Sequence, residues 1–297
     1  MSSAKPMLRT MLGNYPNTKA LKSGALHSDL VDFDFVEVKI ANQQFKSLVR
    51  DLKFDVSELA VVTYLQAKAF GKPYVLLPAV VVGRGQHHTI AYNPARGPLG
   101  PGDLEGKRVG VRAYTVTTGV WVRGILHEQY GVDNGKVHWV TFEDPHVAEY
   151  HDPDFVERAA PGKTMTQMLL DGELDAAIVG DHLPDPRLAH LIPNPEEAAR
   201  QWALGHGGVP INHLVVVRES IARARPDVVK EIFRLLHESK RAANLPDGGP
   251  LDPLRFGVEA NRRSLDIITE FAFQQGVIPR RFSVDELFDD VTRHLTV

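Results

Sequence analysis

Cysteine is absent from this chain of 297 residues, and its absence excludes disulfides, thiolate metal ligands and cysteine nucleophiles. Long apolar runs are also absent, so the sequence predicts neither a transmembrane helix nor a secretory signal. Charge of one sign does not dominate, since 34 Lys and Arg stand against 37 Asp and Glu and the net charge is -3. We therefore expect a cytoplasmic protein with no nucleic-acid or membrane partner.

Sequence motifs of several common enzyme classes are missing as well. The chain contains no Gly-x-Gly-x-x-Gly, no Walker loop, no His-Glu-x-x-His and no Gly-x-Ser-x-Gly. These patterns serve dinucleotide binding, phosphate binding, zinc proteolysis and serine hydrolysis. Nucleotide-dependent and serine-hydrolase functions therefore find no support in the sequence.

Strand and helix patterns alternate along the chain. Strands are predicted at 8–12, 34–40, 54–56, 74–82, 89–92, 108–112, 137–140, 173–179 and 214–217. Helices are predicted at 42–52, from Ser57 as N-cap, after the threonines at 115–118, at 164–170, 226–239 and 256–275, and from the capping-box pattern at Ser283. This alternation predicts an α/β fold with a mostly parallel sheet.

A segment rich in Pro and Gly, residues 94–106, interrupts the alternation and is typical of a linker or domain crossing. The simplest arrangement has two lobes, the first built from residues 1–103 and 211–297 and the second, residues 104–210, inserted between them. Ligands would then bind between the lobes, at the carboxyl ends of strands. Residues rich in Pro and His up to Pro210 are predicted to be loops, with His206 in a flexible one that closes over the ligand.

The stretch Lys107–Ile125 is the most informative part of the chain. It predicts a buried strand, a hydroxyl-rich turn and an amphipathic helix, which places three threonines at the helix N-terminus: Thr115, Thr117 and Thr118. Free backbone N–H groups and the helix dipole make such a terminus suitable for a carboxylate or phosphate. Arg112 and Arg123 add positive charge nearby. The competing interpretation is that the threonines only cap the helix.

Several phrases resemble the type II periplasmic binding proteins. Asp103-Leu-Glu-Gly-Lys-Arg-Val-Gly-Val-Arg112 resembles the start of their second lobe, and Met168-Leu-Leu-Asp-Gly-Glu-Leu-Asp-Ala-Ala-Ile178 resembles one of its later strands. A closer resemblance, to the 4,5-dihydroxyphthalate decarboxylase branch of that superfamily, is carried by Tyr114-Thr-Val-Thr-Thr-Gly-Val-Trp-Val-Arg-Gly-Ile-Leu126, by Arg84 with His88 before Ile90-Ala-Tyr-Asn93, and by Pro210-Ile-Asn-His213. The resemblance covers nearly the whole chain and implies a two-lobed type II periplasmic-binding-protein-like fold with an interlobe cleft.

The resemblance also implies a carboxy-lyase that converts 4,5-dihydroxyphthalate, or a close analogue, to protocatechuate without a cofactor. Such a reaction needs a base near a ring hydroxyl, an acid near the ring carbon that bears the carboxylate, and cations for any retained carboxylate. Histidine suits the first two tasks and arginine the third. The alternative function is a solute-binding protein for an aromatic or dicarboxylic acid, with no catalysis.

The candidate residues follow from these requirements and from the resemblance. Candidates for catalysis are His88, His146, His182, His213 and Glu58. Candidates for substrate binding are Tyr15, Arg84, Arg112, Tyr114, Thr117, Thr118, Trp121, Arg123, Asp181 and His206. For these residues the competing interpretation is a structural contact or a surface ion pair, and which histidine serves as the acid stays open.

The loop Glu143–His151 is unusually rich in His and acidic residues. Because imidazoles and carboxylates ligate divalent cations, a metal site in this loop stays open as an alternative. No zinc-like spacing is found, so we expect no cofactor. The expected partner is a small aromatic carboxylate, and association into a homo-oligomer is left open.

Overall fold

Two β-sheets flanked by helices make up residues 5–297, the part of the chain that the computed structural model describes. The strands are β1 (Met7–Met11), β2 (Asp32–Phe35), β3 (Val56–Ala60), β4 (Tyr74–Gly83), β5 (Ile90–Tyr92), β6 (Arg108–Val111), β7 (His138–Thr141), β8 (Val156–Arg158), β9 (Ala176–Ile178), β10 (Ala189–His190) and β11 (Ile211–Arg218). The helices are α1 (Pro16–Lys22), α2 (Phe45–Asp51), α3 (Val61–Ala69), α4 (Thr117–Tyr130), α5 (Met165–Asp171), α6 (Pro195–His206), α7 (Glu219–Ala224), α8 (Pro226–Ala242) and α9 (Val258–Gln274). Of the helices in this part of the chain, none has the length and apolar character needed to cross a bilayer.

The first sheet has the strand order β2-β1-β3-β11-β4. β1 pairs in parallel with β2 and β3, whereas β11 is antiparallel to β3 and β4. All residues of the central strand β3 are buried. The prediction of a helix from Ser57 is therefore wrong at its start, since residues 56–60 form β3 and α3 begins at Val61. A strand buried on both faces lacks polar alternation, so its apolar pattern merges with that of the following helix.

The second sheet has the order β10-β5-β9-β6-β7-β8. β6 pairs in parallel with β7 and β9, and β5 is antiparallel to β9. Because β5 lies in this sheet, the chain passes from one sheet to the other at residues 84–89, before the boundary predicted at residue 103. The segment 94–106 instead contains two short 3-10 turns, Pro94–Arg96 and Pro101–Asp103. Pro and Gly are as common in such turns as in connections between two domains.

Two further predictions about secondary structure are wrong. Residues 195–206 were expected to be a loop but form α6, whose start carries Pro195 and two glutamates, as helix starts often do. The helix expected from Ser283 is only a 3-10 turn, Asp285–Leu287. Ser283 and Glu286 do exchange the reciprocal capping-box hydrogen bonds. Phe288 comes directly after this turn, has an extended backbone and is buried. Packing of its side chain therefore ends the turn.

The C-terminal helices attach to different parts of the fold. α8 packs on α1 and β4 at one face of the first sheet. α9 packs against both α3 and α4, so it contacts a helix from each lobe. The close approach of α9 to α4 depends on Gly124, because a Cβ added there would lie 2.1 Å from the ring of Phe271.

We predict that Gly124→Ala destabilises the protein by about 1–3 kcal/mol, since the added methyl overpacks this helix contact. The measurement is the free energy of unfolding in urea. Gly205→Ala, also within a helix but with open space at the added Cβ, is the matched control and should be neutral or slightly stabilising. Equal stabilities of the two variants would contradict this account of the contact between α4 and α9.

Candidate active site

A cavity of about 360 Å³ lies between the two sheets. Parallel strands place their carboxyl ends at such a crevice, where α/β proteins bind ligands. The cavity brings together eight of the residues predicted from the sequence: Tyr15, Arg84, Arg112, Thr117, Thr118, His146, Asp181 and His213. Segments that follow β1, β4, β6 and β9, together with the first residues of β11, supply most of them.

The N-termini of two helices meet at this cavity. α3 starts after Ala60 and α4 starts after Val116, and both of these residues line the cavity. No side chain caps α4 at its N-cap residue. The Thr117 hydroxyl instead accepts a hydrogen bond from Val62 N, at 3.2 Å, and so caps the other helix. Both helix dipoles therefore favour an anion in the cavity, although the threonines do not cap their own helix.

A buried carboxylate holds one wall of the cavity. Glu58, on the central strand β3, has no solvent exposure. It accepts hydrogen bonds from Gly13 N at 2.6 Å, from the Tyr15 hydroxyl at 2.9 Å and from His213 Nδ1 at 2.9 Å. Burial, together with the Glu58 charge, raises the pKa of Tyr15, so the phenol stays protonated and keeps donating.

The same carboxylate orients the imidazole of His213. Its Nδ1 is used by Glu58, and no protein hydrogen bond to its Nε2 is found within residues 5–297. His213 lines the cavity near the start of β11. A carboxylate on one ring nitrogen fixes the orientation of the imidazole and balances the charge gained when the other nitrogen takes up a proton.

A second imidazole, His146, has a different environment. Its Nδ1 is hydrogen-bonded to the Thr63 hydroxyl at 2.8 Å, and the residue is 5% exposed. Burial, helped by the charge of Arg112, lowers the pKa of His146 to about 3. His146 is therefore neutral near pH 7, whereas His213 sits beside an anion. The Phe45 ring lies edge-on to both imidazoles, at centroid distances of 5.6 and 5.1 Å.

The loop that carries His146 is fastened to the first lobe. Arg50 of α2 donates from Nε to the His146 carbonyl at 2.8 Å and from Nη2 to the Pro145 carbonyl at 2.7 Å. Lys72 pairs with Glu149 at 2.6 Å. The loop after β7 of the second lobe thus places the His146 imidazole against residues of the first lobe.

Both predicted cavity arginines form ion pairs with protein carboxylates. Arg84 Nε lies 2.5 Å from Asp181 Oδ1, and Arg112 Nη1 donates to Glu143 Oε2 at 2.7 Å. An Arg84 Nη2 also approaches the Thr118 hydroxyl at 3.4 Å. The guanidinium groups can therefore bind carboxylates, and in this structure they bind those of the protein itself.

Three of the predicted substrate-binding residues lie in the protein core and do not line the cavity: Tyr114, Trp121 and Arg123. Trp121 is fully buried and donates from Nε1 to the Ile211 carbonyl at 2.8 Å. Arg123 is also fully buried, and its guanidinium lies 3.9 Å from the ring centroid of Tyr114. Nearly all residues of α4 from Thr117 to Leu126 are buried, so Trp121 and Arg123 both lie in the core although residues two positions apart face different directions. These residues hold the helix in place, which corrects the expectation that they touch substrate.

Three of the predicted histidines also stand away from the cavity. His206 ends α6 and stacks on Trp202 at 4.1 Å, with Nε2 near Glu128 at 3.3 Å. His182 is exposed and does not line the cavity. His88 lines a neighbouring groove and approaches Asp181 at 3.4 Å from its Nε2. His88 therefore contacts a residue that lines the cavity, Asp181, but does not line the cavity itself.

Sequence reasoning missed several residues that shape the site. Phe45, Thr63 and Arg50 lie on helices of the first lobe and contact His146 or its loop. Asn212 lines the cavity beside His213. A phenylalanine, a threonine or an arginine on a helix carries no local signal of a site, because its role depends on a residue far away along the chain.

The charged side chains of the loop Glu143–His151 bind separate partners and do not cluster. Glu143 pairs with Arg112, Asp144 with Arg158 at 3.3 Å, and Glu149 with Lys72. His146 points to Thr63, and His151 is exposed. Nowhere between residues 5 and 297 do three His, Asp or Glu side chains converge as metal ligands.

Known structures share this fold. The alkanesulfonate-binding protein SsuA from Xanthomonas axonopodis pv. citri is 14% identical, with a TM-score of 0.58 over 97% of this chain and 99% of that one. The periplasmic aliphatic sulphonate binding protein SsuA from Escherichia coli is 13% identical, with a TM-score of 0.57 over 96% of this chain and 98% of that one. The prediction of a two-lobed periplasmic-binding-protein-like α/β fold is confirmed.

Sequence comparison identifies the branch of this superfamily. No protein-family model matches the chain. A 4,5-dihydroxyphthalate decarboxylase from Pseudomonas putida is 31% identical over 209 residues, 66% of this chain and 80% of that protein. A 4,5-dihydroxyphthalate decarboxylase from Comamonas testosteroni is 31% identical over 254 residues, 81% of this chain and 76% of that protein. Since both relatives are named as 4,5-dihydroxyphthalate decarboxylases and the match spans most of each chain, this protein belongs to that decarboxylase family.

Proposed function

We propose that this protein removes one carboxylate from 4,5-dihydroxyphthalate, or a close analogue, and releases protocatechuate and CO₂. The names of its relatives support the reaction class. The observation that carries the proposal is the imidazole of His213, held by the buried Glu58 in a cavity that also contains two arginines. The proposal includes a cytoplasmic location, a small aromatic carboxylate as the partner and a reaction that needs no metal.

Binding is assigned to the cationic side of the cavity. The two substrate carboxylates would contact Arg84 and Arg112, whose planar guanidinium groups match carboxylate oxygens. The free N–H groups at the start of α4 face the same space and add favourable electrostatic interactions. This arrangement would direct the ring and its hydroxyls toward the two imidazoles.

Proton transfer is assigned to His213 and, in a lesser role, to His146. Protonated His213 gives its Nε2 proton to the ring carbon that bears the departing carboxylate, while Glu58 balances the charge of the imidazolium. As that carbon gains a proton, the hydroxyl para to it becomes strongly acidic, and even the weakly basic His146 can accept its proton. The different environments of the two rings thus give them different tasks.

The remaining steps restore the starting state. The C–C bond to the carboxylate breaks, its electron pair returns to the ring, and CO₂ leaves. The resulting phenolate regains its proton from His146, and His213 is protonated again from solvent. In sum, the ring takes up one proton in place of CO₂.

Solute binding without catalysis is the second candidate function. The SsuA neighbours are named as binding proteins, and the same arginines and helix termini would hold a carboxylate in either case. A binding protein, however, does not require a buried carboxylate behind an imidazole. Glu58 is therefore the residue that favours catalysis.

The direct test is CO₂ release from 4,5-dihydroxyphthalate by the purified protein, with and without a chelator. We expect release in both conditions. Release abolished by the chelator would contradict the metal-free mechanism. Saturable binding of the same compound with no release would instead support the solute-binding function.

We predict that His213→Ala lowers kcat by about a hundredfold to ten-thousandfold, the usual range for loss of a general acid. Binding of phthalate, which lacks the hydroxyls, should change little, since the arginines remain.

Glu58→Gln should also lower kcat, because it keeps the shape of the side chain but removes the charge. His138→Ala, an exposed position at the start of β7, is the control, and turnover of His213→Ala equal to that of the control would remove His213 from the mechanism.

The lowered pKa of His146, about 3, predicts a pH dependence of stability. Between the unfolded-state pKa of about 6.5 and the folded-state value, the unfolded chain binds the additional proton, so the stability contributed by neutral His146 is lost as pH falls. Urea unfolding at about pH 7 and about pH 5 should show a decline in the wild type, on the order of 1 kcal/mol per pH unit from this group, that His146→Gln lacks. His138→Gln should behave as the wild type, and an unchanged decline in His146→Gln would show that His146 is protonated in the folded protein.

A further inference from the structure

The two cavity arginines already have carboxylate partners, and these partners lie on the open side of the site. Side-chain exposure is 27% for Arg84 against 46% for Asp181, and 33% for Arg112 against 45% for Glu143. In each pair the guanidinium is deeper and the carboxylate nearer to solvent. A ligand that enters from solvent therefore meets the protein carboxylate at the position it would have to occupy.

These two carboxylates are held far more weakly than Glu58. Glu58 is buried and accepts from three donors, including a backbone N–H. Across the described residues, Glu143 has only Arg112 as a side-chain partner, and Asp181 has Arg84 and His88. Among residues 5–297, no backbone N–H donates to either carboxylate. Half-exposed pairs of this kind are weak and exchange easily with other anions.

Asp181 also has a second partner within reach. His88 Nε2 lies 3.4 Å from the same Oδ1 that contacts Arg84. Asp181 could therefore leave Arg84 and stay paired with His88, in the neighbouring groove. Asp181 lines both this groove and the cavity.

We propose that Asp181 and Glu143 are displaceable counter-ions of the substrate site, which the two carboxylates of an aromatic dicarboxylate replace on Arg84 and Arg112. The inference rests on the proposed function for the identity of that ligand. After CO₂ departs, the product has one carboxylate, and the arginine that is released regains its protein partner. Asp181 and Glu143 thus weaken ligand binding and favour release of the monocarboxylate.

The test is the Kd of phthalate, a dicarboxylate without the hydroxyls, measured by calorimetry. Asp181→Asn and Glu143→Gln should each bind phthalate roughly threefold to tenfold more tightly than the wild type, because one competing carboxylate is removed. Both should also bind protocatechuate more tightly. Glu157→Gln carries the same change of charge at an arginine pair outside the cavity, with Arg108, and should leave both Kd values unchanged.

Weaker or unchanged phthalate binding by Asp181→Asn and Glu143→Gln would overturn the inference, because the carboxylates would then hold the arginines in position. Equal tightening in Glu157→Gln would overturn it too, since net charge alone would explain the effect. The outcome is separable from the turnover assay. Tighter binding by the two cavity variants without any CO₂ release would uphold the counter-ions while the decarboxylase function fails.

Discussion

The hydrogen bonds to the buried carboxylate of Glu58 are the interactions on which the site depends. An ionised carboxylate without solvent contact is stable only where several donors compensate for the lost hydration. Here the donors come from the turn after β1, from Tyr15 at the start of α1 and from His213 on β11. One charge on β3 therefore holds both the turn between β1 and α1 and the start of β11 in place, and loss of any donor would leave Glu58 under-compensated.

The cavity keeps its shape because the two lobes are tied together by contacts that do not involve a ligand. The Thr117 hydroxyl caps α3 of the other lobe, and Arg50 fastens the loop that carries His146. The Trp121 indole reaches the Ile211 carbonyl at the start of β11. Such contacts reduce the loss of conformational entropy when a ligand binds. A site held in this way is preorganised.

The sequence is sufficient to predict the α/β alternation, the position of the cleft at the ends of strands, and the arginines and His213 that line it. It fails where a residue's role depends on a distant partner. Glu58 and His213 are separated by 155 positions, and Thr63 and His146 by 83. Local pattern assigned Glu58 to a helix start, because the buried β3 has no polar alternation. It also assigned Arg123 to the substrate, although helical spacing alone cannot tell a side chain facing the cleft from one buried against Tyr114 and Gln275.

In the proposed function, the different environments of two histidines distinguish this site from a site that only binds a solute. Arginines and helix N-termini suffice to bind a carboxylate, and they impose no chemical step. Glu58 lies against one imidazole, that of His213, whereas burial keeps the other, that of His146, neutral. Both rings lie against Phe45, and in the proposed mechanism they act at different atoms of one aromatic ring. Because one ring is held by Glu58 on β3 and the other by Thr63 on α3, the proposed chemistry depends on residues that lie behind the two imidazoles.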